Sequence, residues 1–197
     1  SVSIASYRRA IRRIHEYIGA GDTYQVNYTL RLRAPSSPDP WLLFRRMARA
    51  QGPGYAGWVA LPDWTIGCAS PELFFLQDGE RIESRPMKGT ADRGLWSADD
   101  DARARWLQRS RKNRAENVMI VDMVRNDLGR VAIPGSVCVP RLFEVERYPT
   151  LWQMTSTVQA ATRAGLAEVL TALFPAASIT GAPKVRAMEI IAELEAS

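Results

Sequence analysis

Between Asn113 and Leu128 the chain reads NRAENVMIVDMVRNDL, and Val118, Met119, Ile120, Val121, Met123 and Val124 place apolar side chains on nearly every side of a helix. A helix of this kind cannot lie on a surface, so other elements must cover most of its circumference. Its charges then need partners. Glu116 shares a side with Ile120 and Met123 and would be carried inward, where a carboxylate wants an arginine, a lysine or a metal ion. Gly129 closes the helix, and Arg125-Asn126-Asp127 before it read as a cap that ties the helix to a neighbour.

The covering elements can be read in order. Ile4, Tyr7, Ile11, Ile14 and Ile18 form the stripe of an amphipathic helix ended by Gly19 and Gly21. His15, the single histidine, rides on it as a boundary residue. Tyr24 to Arg33 alternates, with Tyr24, Val26, Tyr28, Leu30 and Leu32 on one face and Gln25, Asn27 and Thr29 on the other, which predicts a strand with a polar row. Pro35 to Pro40 is a loop and Trp41 to Ala50 a helix introduced by Pro40. Gly52-Pro53-Gly54-Tyr55-Ala56-Gly57 fits G-x-G-x-x-G, but it follows a helix and opens a strand, the reverse of the dinucleotide-binding context. Tyr55–Leu61 and Trp64–Ala69 pair around Pro62-Asp63.

Leu73–Gln77, the turn Asp78-Gly79 and Arg81–Ser84 form a second hairpin, which delivers Lys88 onto a turn beyond it. There Pro86 fixes one backbone angle, Gly89 allows close approach to the main chain, and the Thr90 hydroxyl with nearby N–H groups could bind an anion. Strands follow at Ser136–Val145 and Gln153–Ala160, then a helix over Gly165–Phe174 and a last helix through Glu195. Pro183 fits the first position of that helix, which would set Thr180 and Gly181 beside free N–H groups and the positive end of the dipole.

Composition narrows the function class. The chain has 197 residues, 46% hydrophobic, with a net charge of +5. That is enough to bury a core, and no apolar run is long enough for a bilayer span. Ser1–Ala5 lacks the pattern of a signal peptide, which implies a cytoplasmic location. Cys68 and Cys138 stand far apart without metal-ligand partners and read as small core residues. The basic run Arg103, Arg105, Arg109, Arg111, Lys112 and Arg114 follows Asp99–Asp101 at helical spacing; it reads as a solvated helix face and not as a nucleic-acid surface.

Six blocks carry a resemblance: Gly21–Asn27 (GDTYQVN), Ser70–Leu73 (SPEL), Arg85–Thr90 (RPMKGT), Arg114–Asn117 (RAEN), Val121–Gly129 (VDMVRNDLG) and Ser178–Lys184 (SITGAPK). In this order the sequence resembles the chorismate-utilising enzymes, and within them the aminodeoxychorismate synthase branch, over essentially the whole chain. The resemblance implies an α+β fold of two packed antiparallel β-sheets with flanking helices. It makes residues 1–197 a partial chorismate-binding catalytic domain, since the family extends further at both ends, with further Mg²⁺-binding glutamates among its C-terminal strands. Lys88 matches the lysine that attacks ring carbon C2 of chorismate as the free amine, where anthranilate-forming relatives carry alanine. Glu72 matches the general acid that protonates the departing C4 hydroxyl. Glu116 matches a Mg²⁺ ligand. Gln25 stands where relatives that add water carry an activating lysine, which implies ammonia as the nucleophile, and Asn27 is typical of the same branch. Gln153 replaces a histidine of many relatives, and Thr90, Arg125, Thr180 and Gly181 complete the substrate-side candidates. The implied partners are chorismate and a glutamine amidotransferase subunit; the alternatives are an anthranilate synthase large subunit and a truncated non-catalytic domain.

Overall fold

A computed structural model describes residues 2–35, 39–52 and 54–195. Helix α1 (Ile4–Ala20) is capped by the Ser3 side chain, which accepts from Ser6 N, and is ended by Gly21 in the left-handed region. Its buried side is Ala10, Ile14 and Tyr17; Ile14 and Tyr17 pack with Ile190 of α7 (Lys184–Leu194). The expected stripe is thus rotated, for Ile4, Tyr7 and Ile18 are exposed.

Strands β2 (Tyr55–Ala60) and β3 (Thr65–Ser70) pair as expected, with α2 (Pro40–Gln51) packed on β3. The Pro35–Pro40 loop and Pro53 lie partly outside the described residues. The larger sheet is antiparallel and five-stranded. Its centre is β8 (Leu151–Ala161), with β7 (Cys138–Arg147) along one edge. The other edge is shared by two consecutive strands: β5 (Arg81–Arg85) faces Val158–Ala161, and β6 (Met87–Asp92) faces Leu151–Thr155. Pro86 separates them. Having no N–H, it interrupts the strand, yet its carbonyl still accepts from Ser156 N, so the edge stays continuous. Strand β4 (Leu73–Asp78) completes the expected hairpin with β5.

Helices α3 (Ser97–Arg109) and α4 (Arg111–Gly129) follow β6. Ile120, Val121, Val124 and Leu128 of α4 form one core with Ile82 of β5, Val158 and Ala160 of β8, and Val169, Ala172 and Leu173 of α5 (Leu166–Leu173). Helix α4 is not apolar all round: Val118, Asp122, Arg125 and Asn126 are exposed, and the buried side repeats at i, i+3, i+4 and i+7. Multiple antiparallel sheets with helices agree with the expected fold class.

Three expectations change. The strand over Tyr24–Arg33 contracts to β1 (Gln25–Val26), which pairs with β9 (Gly181–Ala182); beyond it the chain is irregular, and Leu32 is 89% exposed. Alternation marks a strand only where a partner edge exists, and β9 is just as short. Cys68 and Cys138 are both exposed, not core residues. Pro183 caps α7 from outside instead of opening it, so Thr180 ends the short helix α6 (Ala177–Thr180) and Gly181 enters β9.

The β1–β9 contact is tight: a Cβ on Gly181 would lie 2.1 Å from Gln25 O. Gly181→Ala is therefore expected to lower stability by about 3 kcal/mol, a fall in Tm of about 6–12 °C by calorimetry. An unchanged Tm would mean that β1 is free to move away.

Candidate functional site

Lys88 is not on a turn but in β6, at a bulge. Met87 faces Thr155 and Thr90 faces Gln153, so Lys88 and Gly89 together oppose Met154. The extra residue twists the strand and re-aims the lysine. Gly89 has φ 101, and a Cβ there would press on Asn113 and Met154 at 3.0 and 3.3 Å. The bulge is pinned from α4: Asn117 Nδ2 donates to Lys88 O at 3.3 Å, and Asn117 Oδ1 accepts from Ser156 Oγ at 2.6 Å.

The half-buried Lys88 side chain reaches across to the segment before β9, where Nζ donates to Ser178 O at 3.1 Å. The same oxygen accepts Asn27 Nδ2 at 2.8 Å, while Gln25 Nε2 donates to Asn27 Oδ1 at 3.2 Å. Asn27 N donates to Thr180 O, and Thr23 Oγ1 to Ala182 O, both at 2.8 Å. A three-residue polar row Gln25-Asn27-Thr29 does not form: Gln25 donates to Asn27 and Asn27 to Ser178 O, whereas Thr29 bonds Glu195.

Glu72 sits at the β3–β4 corner, where Ser70 Oγ both accepts from Glu72 N and donates to Glu72 O. Its Oε1 accepts from Met87 N at 3.3 Å. Burial pushes the Glu72 carboxyl above its ordinary value; the Ser178 hydroxyl, the Met87 N–H and the Lys88 charge oppose the rise without cancelling it. Glu72, Ser70, Ser84, Phe74, Phe174 and Ser178 help line a cavity of about 230 Å³. Asp127 also lines it, paired with Lys184 Nζ at 2.8 Å; burial outweighs this partner and raises the Asp127 carboxyl as well. Lys184 Nζ further donates to Leu173 O and Pro175 O, which ties the end of α4 to the segment that carries Ser178. The expected neighbour for Arg125-Asn126-Asp127 is thus α7, reached through Asp127.

The remaining candidates spread out. Thr90 Oγ1 donates to Gln153 Oε1 at 2.8 Å, just beyond the bulge on the β6–β8 pair. Arg125 lies two turns along α4 from Asn117, about 12 Å away, exposed and paired with Asp122 at 2.8 Å. Glu116 is 40% exposed with Lys112 Nζ at 3.8 Å. Among the described residues no three His, Cys, Asp or Glu side chains converge on a possible metal position. A hard divalent cation takes about six oxygen ligands, so these residues do not fit a complete Mg²⁺ site.

Ser178 and Asn117 are the participants that sequence reasoning passed over. Asn117 had a signal, a polar residue on the buried stripe with Ile120, Val121, Val124 and Leu128. Ser178 was marked only as the start of the block Ser178–Lys184, because its main-chain oxygen makes the contact with Lys88.

Comparison with known proteins places this geometry. The model for the family described as chorismate binding enzyme matches residues 1–197. The chain belongs to the chorismate-binding enzyme family. It is 46% identical over 191 residues to "Aminodeoxychorismate synthase component 1" of Escherichia coli (strain K12), covering 96% of this chain and 42% of that protein. It is 40% identical over 192 residues to "Anthranilate synthase component 1" of Thermus thermophilus, again covering 96% of this chain and 42% of the relative. The crystal structure of anthranilate synthase component I from Streptococcus pneumoniae superposes with a TM-score of 0.88 at 28% identity, over 98% of this chain and 43% of that one. The chain thus spans less than half the length of these relatives. Among the described residues no helix is long and apolar enough to cross a membrane.

Two outcomes follow. Because the folded Glu72 carboxyl titrates above its ordinary value, its contribution favours folding at pH below the ordinary carboxylate range and is lost as pH rises through the raised value. Glu72→Gln should therefore equal or exceed the parent in stability at neutral pH, with a flatter pH dependence in urea titrations; a clear loss at neutral pH would mean that the ionised form is held by favourable contacts. Calorimetric titration of this chain with Mg²⁺ should show no saturable binding at micromolar concentrations, and tight binding abolished by Glu116→Gln would refute the incomplete-site reading.

Proposed function

We propose that the protein containing this chain aminates chorismate at C4 to 4-amino-4-deoxychorismate, on the branch that leads to 4-aminobenzoate and folate. The ammonia comes from a glutamine amidotransferase subunit, and residues 1–197 are part of the catalytic domain. The observation that carries this reading is the meeting of Lys88 and Glu72 at Ser178, an amine from β6 and a carboxyl group from the β3–β4 corner.

The chemistry assigns each a distinct duty. Lys88 Nζ attacks C2 with its lone pair, the ring diene shifts, and the C4–O bond breaks as Glu72 passes its proton to the leaving hydroxyl, releasing water. Ammonia then adds at C4, the diene shifts back, and the bond from C2 to Lys88 breaks to return the amine. Burial favours the protonated form of Glu72, the form a proton donor needs. Gln25 offers a carboxamide where water activation would call for a base, which supports ammonia as the incoming nucleophile. Full turnover also needs Mg²⁺ ligands beyond Glu116, and no step here is assigned to the metal.

Product identification from chorismate, ammonium and Mg²⁺ with the full-length protein tests the reading. The parent should yield aminodeoxychorismate, and Lys88→Ala should lose 10²-fold or more of that activity, on the order of what a positioned catalytic group contributes. Anthranilate as product, or an unimpaired Lys88→Ala, would move the protein to the neighbouring branch.

A further inference from the structure

Ser178 is 8% exposed and sits inside α6, a helix too short to be rigid by itself, so its position must be imposed from outside. Three restraints do so. Asn27 Nδ2 holds its carbonyl from the β1 side, Thr180 Oγ1 bonds back to Ala176 O, and Lys184, neutralised by Asp127, grips Leu173 O and Pro175 O. A buried residue held this firmly offers two groups. Its main-chain oxygen takes the Lys88 amine at 3.1 Å, and the residue shares a cavity with Glu72, whose carboxyl pKa its hydroxyl acts to lower.

Resting on the reading proposed above, we propose that Ser178 is the positioning residue that sets the nucleophile and the acid against each other, its main-chain oxygen fixing the Lys88 amine and its hydroxyl fixing the Glu72 carboxyl. With one N–H of Lys88 engaged at that oxygen, the lone pair of the free amine is directed away from Ser178. The second donor at the oxygen, from Asn27, shares its lone-pair density and restrains it from clasping the amine more tightly. At Glu72 the hydroxyl engages one carboxyl oxygen and so favours the acidic proton on the other. It also acts against burial, so that an acid kept protonated can still release its proton. The charged groups facing Glu72 are Lys88 from β6 and, across the cavity, Asp127 from α4 with its partner Lys184 from α7. A change at the Ser178 side chain leaves all of them in place.

The test compares Ser178→Ala, which removes the hydroxyl and keeps the main-chain oxygen, with Ser178→Thr, which keeps both. In this chain, ¹³C NMR follows the Glu72 carboxyl, assigned by its loss in Glu72→Gln. In the full-length protein, kcat and KM with chorismate are followed against pH. For Ser178→Ala the Glu72 midpoint should rise, kcat should fall about tenfold with KM little changed, and the alkaline limb of the profile should move to higher pH. Ser178→Thr should restore all three. An unmoved Glu72 midpoint, or a loss in KM alone, would overturn the role of Ser178. Failure of the parent to aminate chorismate would instead overturn the proposed function, while the NMR midpoint would still decide whether the hydroxyl governs Glu72.

Discussion

The docking of α4 on the central strand β8 is the contact on which the other elements depend. Ile120, Val121, Val124 and Leu128 bury one face of the helix against Ile82, Val158 and Ala160. Burial of that apolar face holds the helix in place, at roughly 25 cal/mol per Å² removed from water. Two buried members of the helix are polar, Asn117 and Asp127. Asn117, 1% exposed, meets the Ser156 hydroxyl on β8 and the carbonyl of Lys88 on β6. A buried amide left without partners would cost about 1–3 kcal/mol, so packing in this register also fixes the bulge that carries Lys88.

The strand edge from Arg81 to Asp92 shows how a regular ladder is adapted to place one side chain. Pro86 removes a donor and divides the edge without breaking it, because its carbonyl still pairs with Ser156. Two residues later the strand carries one residue more than its partner, and Gly89 takes the positive φ that this requires. A hairpin ending at Ser84 has become a strand that runs on to Asp92. Pro and Gly usually end strands. Here they reshape one that β8 holds from the side.

Electrostatics around the cavity follow the same layout. Glu72 and Asp127 are both pushed up by burial, but they are answered differently. Asp127 has a buried ion pair with Lys184 that fastens α4 to the segment bearing Ser178; Glu72 has only hydrogen bonds and a lysine engaged elsewhere. Asp127 is thereby tied into the fold, whereas Glu72 has no ion-pair partner at hydrogen-bond distance. Ser178 lies where the two arrangements meet.

Local sequence determined the longer helices, the two hairpins and the blocks containing Lys88, Glu72, Asn27 and the Ser178–Lys184 segment. Helix ends such as Gly21, the Asp78-Gly79 turn and the apolar repeats act over a few residues, and each could be read where it stood. The limits were equally physical. Alternation from Tyr24 to Arg33 has the period of a strand, but only two of its residues find an edge in β9. The apolar content of α4 suggested burial all round, while packing chose one face and left Val118 and Arg125 outside. What tertiary structure alone decided was the meeting of Lys88, Glu72 and Asn27 at Ser178. Lys88 and Asn27, distant in sequence, are joined there through a main-chain oxygen, a group every residue possesses and no sequence pattern distinguishes.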